Sequence, residues 1–203
     1  MKNKIGISIV IVFAFIIGLS FVSCKNNDNS DLPVSTVEWA LGADGFRQFY
    51  TNDSQYYNYY FRQIFTNPNV DPNTYQMEIK KVSGHPNVAF GMLFGMSNTS
   101  INEYYQVNIS TIGGFCVIKR INDVYTTIQD WEVTGRLNTG LNQSNIIKVT
   151  RTLPDEYKIF LNGFQVFQFN DDDITGNRMS PIVYVGSNTQ ESFPNTPVDV
   201  RFK

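Results

Sequence analysis

The chain has 203 residues, with 16 basic and 18 acidic side chains and a formal net charge of −2. That balance, without any cluster of Lys and Arg, excludes nucleic acid as a partner. Two cysteines and one histidine, His85, which stands in the turn-like Gly84-His85-Pro86, suggest no Cys/His catalytic pair.

Met1-Lys2-Asn3-Lys4 opens the chain as a short basic segment, and an apolar run follows from Ile5 to Val22. This is the layout of a secretory signal. The run approaches the length of a membrane span, so an uncleaved anchor and ordinary cleavage are the alternatives. Gly6, Ser8, Gly18 and Ser20 dilute both ends and leave only Ile9 to Ile17 uninterrupted, which suits a signal core better. Phe21-Val22-Ser23-Cys24 resembles the lipobox of bacterial lipoproteins, with Phe21 in place of the usual Leu. The resemblance implies a signal peptide over 1–23 and diacylglycerol on the Cys24 thiol. It also implies acylation of the new amino terminus, enough chains for stable anchoring. The expected location is the bacterial cell envelope, on a membrane and more readily the outer one where there are two. Residues 24–34 read as the lipidated cysteine and a polar, flexible tether.

The remaining stretch, 35–203, fits one domain with a full-sized core. Without Lys2 and Lys4 the basic count falls from 16 to 14 against 18 acidic residues, a charge of −4. The domain is rich in Tyr, Phe, Asn and Thr, which is strand composition. Gln55 to Phe61 is its densest aromatic segment, with rings on both faces if it is a strand. Tyr75, Met77 and Ile79 alternate with Gln76, Glu78 and Lys80, and period-two alternation turns one set inward. Val88, Phe90, Met92 and Phe94 share one face, opposite Ala89, Gly91 and Leu93. Gly91 inside such a run points to close approach by another backbone, a bulky neighbour or a ligand.

Tyr105, Val107 and Ile109 alternate with Tyr104, Gln106 and Asn108. Gly113-Gly114 then turns the chain into Phe115-Cys116-Val117-Ile118, where Cys116 reads as a small buried hydrophobe left without a disulfide partner. Asn122-Asp123 turns it again toward Val124 to Trp131. Asn162-Gly163 is the strongest hairpin signal, because both positions of a type I′ turn need positive φ. Val198, Val200 and Phe202 repeat the alternation at the end. Ten or so short strands without a convincing helix predict an all-β, two-sheet antiparallel sandwich.

The ordered series Phe90-Gly91-Met92-Leu93-Phe94, Tyr104 to Ile109, Gly114 to Lys119, Trp131, Asn145-Ile146-Ile147-Lys148-Val149 and Phe160-Leu161-Asn162-Gly163 resembles the concanavalin A-like lectin/glucanase superfamily. The resemblance covers residues 75 to 203 and implies a jelly roll whose concave sheet, in many members, binds or cleaves polysaccharide. Glucanase members carry closely alternating carboxylates for nucleophile and acid/base. No Glu-x-Asp-x-x-Glu pattern occurs here, so the expectation is a binding protein rather than an enzyme. No cofactor is implied. Asp171-Asp172-Asp173 invites a calcium reading, but consecutive side chains cannot all converge on one ion, and an acidic solvated turn is the expectation.

For glycan recognition the expected residues are Tyr104, Gln106 and Asn108 on an outward strand face, Glu78 on the same outer surface and Trp131 at its border. A plain solvated face and a core position for Trp131 are the alternatives. The other function open to this sequence is a protein-interaction or adhesion module of the envelope.

Overall fold

The computed structural model describes residues 44–51, 58–61, 73–86, 88–97, 102–152, 155–185 and 197–203. All of them belong to the unit Thr36–Lys203. The expected signal peptide, Cys24, the tether, the opening of the domain and Gln55 to Tyr57 lie outside the described residues.

The described residues form twelve strands. They are β1 Arg47–Thr51, β2 Asn58–Phe61, β3 Thr74–Ser83, β4 Ala89–Met96, β5 Glu103–Ile109 and β6 Gly114–Ile121. The second half contributes β7 Val124–Val133, β8 Ser144–Thr152, β9 Glu156–Leu161, β10 Phe164–Asn170, β11 Arg178–Val185 and β12 Val198–Phe202. They build two six-stranded sheets, β1-β12-β3-β8-β9-β10 and β2-β11-β4-β5-β6-β7. Every pairing is antiparallel. No helix occurs among the described residues.

Turn chemistry sets the local register. Asn162 and Gly163 have φ of 51° and 86°, and Asn122 and Asp123 have 49° and 66°, so both hairpins adopt the positive-φ turn that matches strand twist. The inward sets expected from alternation meet between the sheets. Tyr75, Met77, Ile79, Phe90, Met92, Phe94, Tyr105, Val107, Ile109, Val198, Val200 and Phe202 are all buried in one core.

The two ends of the sandwich are closed differently. At one end Phe94, Tyr105, Tyr157 and Phe169 form a ring cluster with centroids 5.0–5.8 Å apart. Core tyrosines there tie down the β10–β11 connection: Tyr105 donates to Asp171 Oδ1 at 2.7 Å, Tyr157 to the Ile174 carbonyl at 2.7 Å and Tyr75 to the Gly176 carbonyl at 2.6 Å. At the other end the anchor is an amide network. Asn145, which is buried, accepts from the Asn138 N–H at 2.8 Å and donates to the Asn138 carbonyl at 3.0 Å. Asn162 donates to Asn145 Oδ1 and to the Arg136 carbonyl, both at 2.8 Å. Its own carbonyl oxygen, Oδ1, accepts from the Ile146 N–H at 2.8 Å. The network joins β8, the 134–143 connection and the β9–β10 turn.

Lys81 continues the inward set of β3 and is wholly buried. Its ammonium donates to the carbonyls of His85 and Val88, which fastens the β3–β4 connection. Burial lowers its pKa from 10.5 to about 7. The unfolded lysine keeps its proton to a much higher pH, so between these values the unfolded chain binds more protons and stability rises with pH. From pH 7 to 8.5 the unfolding free energy is expected to increase by about 1–2 kcal/mol. Urea denaturation across that window measures it. Lys81→Met should flatten the slope, and a flat wild-type profile would contradict the assignment.

Candidate functional site

The outer face of the second sheet, turned away from the sandwich core, holds most of the residues expected to bind ligand. Register places Gly91 opposite Asn108 and Asn108 opposite Cys116, and Leu93 opposite Gln106 and Gln106 opposite Ile118. Tyr104 lies opposite Arg120, and Arg120 opposite Tyr125. The alternation therefore gave the correct face.

The expected exposure is corrected. Tyr104 and Gln106 are 0% exposed and Asn108 is 2% exposed, and Tyr104 packs with Leu93, Met96 and Ile182 in a second apolar cluster. These side chains point outward from one core into another covered layer, a circumstance that period-two patterning cannot register. Gln106 Nε2 donates to Asn108 Oδ1 at 2.7 Å, and Asn108 Nδ2 donates to Cys116 Sγ at 3.6 Å. Gln106 Oε1 is buried with no hydrogen-bond partner among the described residues, a state that costs about 1–3 kcal/mol. Burial pushes the Cys116 thiol up to about 12, so it is inert and behaves as the small hydrophobe expected. Burial likewise raises the Tyr104 pKa, with Tyr125 adding to the effect.

Glu78 does not join this face. It is on β3 in the other sheet, opposite Ile146, where its backbone exchanges 2.8 Å hydrogen bonds with Lys203. Around it Asp44 pairs with Lys80 at 3.3 Å and with Arg201 at 3.5 Å, an ionic, solvated surface. Which sheet receives a strand depends on long-range pairing that β3 does not advertise.

Trp131 is neither in the core nor inside the buried row. It lies on β7, the edge strand of the second sheet, 39% exposed. A Cβ at Gly114 would meet its six-membered ring at 3.2 Å, so Gly114 is the floor on which the indole rests. Register shifts in the β6–β7 pairing between Phe115 and Val117 and between Val117 and Ile118 re-aim this stretch of β7.

Arg120 was not singled out by the sequence. Its guanidinium lies 5.5 Å from the Tyr104 ring and 5.4 Å from that of Tyr125, and it pairs with Asp123. The signal was present: the Asn122-Asp123 turn places Arg120 opposite Tyr125, and alternation from Cys116 puts it on the outer face. The outer face is thus covered over β4 and β5 and opens toward β6 and β7, where Thr127 and Trp131 are exposed.

The acidic run is a structural device as well as a solvated turn. The carboxylate oxygens of Asp171, Asp172 and Asp173 lie within 4.8 Å of one another. Lys119 Nζ reaches Asp171 at 2.5 Å and Asp173 at 2.7 Å. Partial burial would lower the Lys119 pKa, but the hydrogen bonds to Asp171 and Asp173 outweigh it and raise it. Asp171 itself is held below the usual carboxylate range: desolvation opposes this, and the bonds from Lys119, the Asp173 N–H and Tyr105 prevail. An ammonium thus supplies the positive charge here, while Asp172 and Asp173 stay exposed.

No protein-family profile matches the sequence, and no curated protein matches it. Solved structures do. The Bacillus licheniformis β-glucanase superposes with a TM-score of 0.52 at 9% identity, over 80% of this chain and 78% of that one. A β-1,3-1,4-glucanase (lichenase) derived from a mouse hindgut metagenome gives 0.50 at 10% identity, over 78% of each chain. The chain is a jelly-roll sandwich. The carbohydrate-binding module CBM66 from Bacillus subtilis is also similar, with a TM-score of 0.49 at 18% identity over 64% of this chain and 70% of that one. At these identities the likeness establishes the jelly-roll fold, and the chemistry of the site has to be argued from its residues.

Proposed function

We propose that this protein is a membrane-anchored, non-catalytic binding lipoprotein that holds a glycan on the outer face of its second sheet. The ligand meets the β6–β7 flank, with Trp131 as the stacking ring. The observation that carries this reading is the part-exposed indole of Trp131, packed against Gly114 where the outer sheet face opens at β6 and β7. An aromatic ring kept accessible and immobilised offers sugar C–H groups a large contact area at little entropic cost. Thr127, farther along the same strand, is exposed and offers a hydroxyl to an extended ligand, while Gln106 and Asn108 form a buried row behind the flank. The non-catalytic part rests on the missing paired-carboxylate pattern, and the anchor rests on the lipobox at Cys24.

A glycan array probed with residues 25–203 tests the binding. Retention of a glycan family that falls at least about tenfold in affinity on Trp131→Ala, a loss of ~1.4 kcal/mol, is the expected result. A blank array together with recovery of an envelope protein in pull-downs would replace the glycan with a protein partner. For the anchor, Cys24→Ala is expected to abolish incorporation of labelled palmitate in the producing cell; persistent labelling would contradict lipidation at that residue.

A further inference from the structure

β10 is the last strand of the first sheet: β9 pairs with one side of it, and no described strand pairs with the other. A strand in that position presents a row of unpaired backbone N–H and C=O groups, which natural proteins commonly guard with charged side chains or proline. β10 has neither; it reads Phe-Gln-Val-Phe-Gln-Phe-Asn. By contrast β1, at the far edge of the same sheet, carries Arg47, and β7, an edge of the second sheet, carries Asp130 and Glu132. The bulge between Gln165 and Phe167 turns the start of β10 out of line and leaves Phe167 to Asn170 in regular register.

The core also shows through on this side. β10 packs over β5 and β6: the Phe169 ring lies 5.3 Å from that of Tyr105, and Asp171, the next residue after β10, binds Lys119. β7 is the strand beyond β6, so β7 and β10 are the two edges on one flank of the sandwich. On these strands and on β6, Ile121, Ile128, Val166 and Phe167 pack against the core and are only partly buried. An open backbone edge and an apolar seam thus lie together. A lone strand from another protein would pair with the edge and leave the seam wet, whereas a second copy of this chain brings an identical edge and an identical seam.

We propose that β10 pairs with β10 of a second copy, antiparallel about a two-fold axis, so that the first sheet continues from one copy into the other. Directly opposed residues in such a pair point to the same face of the sheet. Phe167 and Phe169 lie opposite the buried Ile159 and Tyr157 of β9 and so point inward, while Gln168, opposite Lys158, points outward. An axis at Gln168 keeps like with like: Gln168 meets its copy, and Phe167 meets Phe169 of the second copy. An axis at Phe169 would instead set Asp171, already tied to Lys119, against Phe167. With the axis at Gln168 the opposed stretches are uncharged, so a two-fold brings no like charges together there. The outer face of the second sheet stays open in both copies, because β10 belongs to the first sheet. The dimer therefore carries two Trp131 flanks.

The test uses the full chain, oxidised with copper phenanthroline in the producing cells and run on non-reducing gels. Gln168→Cys is expected to give a disulfide-linked dimer, because opposed Cβ atoms at the axis come within disulfide reach. Tyr50→Cys, on the far edge β1 and 45% exposed, should stay unlinked, and the wild-type chain, with Cys24 and the buried Cys116, sets the background. In sedimentation of the purified chain in detergent, the wild type should dimerise as its concentration rises. Gln168→Glu, which Lys158 opposite it accommodates within one copy, should weaken that dimer about tenfold or more by apposing two carboxylates at the axis; a urea midpoint near that of the wild type shows its fold intact. A chain that is monomeric at every concentration and unlinked at 168 overturns the pairing. Equal linkage at 50 and 168, or a dimer indifferent to Gln168→Glu, moves the association to another face and overturns it as well. Monomeric sedimentation with position 168 linked to a different protein gives the edge to a foreign strand and overturns the second copy.

Discussion

Gly91→Ala is expected to remove most of the stability of the domain. A Cβ at this position would fall far inside van der Waals contact distance of the Val107 carbonyl oxygen and lie 2.9 Å from the Asn108 Cα. Both are backbone atoms of β5, so no side chain can swing aside; the β4–β5 pairing itself has to open. β4 is central in its sheet, paired with β5 on one side and β11 on the other, and its other face carries Phe90, Met92 and Phe94 into the main core. Separating the strands would cost hydrogen bonds and core contacts together. The expected loss is on the order of 4 kcal/mol or more, against a typical total of about 5–15 kcal/mol. Urea denaturation measures it. Gly135, where an added Cβ meets nothing within 4 Å, is the comparison: Gly135→Ala should stay within about 0.5 kcal/mol of wild type. Equal midpoints for the two variants would contradict the close approach.

Asn145→Leu is expected to cost about 3 kcal/mol, through hydrogen bonding rather than shape. The leucine is similar in size, but the Asn138 N–H and carbonyl lose their partner and the Asn162 amide loses an acceptor. Partial access of water to Asn138 limits the penalty. Because the network spans the 134–143 connection, amide exchange in that connection should accelerate before the core strands are affected. Asn162→Gly separates the roles of the turn and the network. Glycine keeps the positive φ that the turn requires, so any loss of stability reports the missing bonds to Ile146, Arg136 and Asn145. Unchanged exchange in 134–143 for Asn145→Leu would show that the connection is held by other contacts.

These residues also show how far the sequence could be read. Asn145 and Asn162-Gly163 belong to the motif series that resembles concanavalin A-like proteins, and the structure gives that part of the series a physical role in closing one end of the sandwich. Period-two alternation correctly separated the two faces of β3, β5 and β12, because a half-buried strand has to alternate. It could not say what lies beyond a face: Tyr104, Gln106 and Asn108 point away from the core, yet are buried. Glu78 illustrates a second limit, since its alternation is sound while its sheet is fixed by pairing with strands distant in sequence. For Trp131 the decisive facts are the edge position of β7 and its register shifts, neither visible in the run Ile128 to Val133. Lys81 was hidden because the inward periodicity of β3 continues onto a lysine, whose charge argues for the opposite face.

The central claim, a glycan held against Trp131 on the second sheet, is tested most directly by the fluorescence of that indole. The chain has two tryptophans, so Trp39→Phe leaves Trp131 as the sole reporter. Titration of this variant with the glycan that the array selects should shift its emission to the blue, with saturation at the same concentration as binding measured by calorimetry. Saturable calorimetric binding with unchanged Trp131 emission would contradict the claim, because the glycan would then be bound elsewhere on the domain.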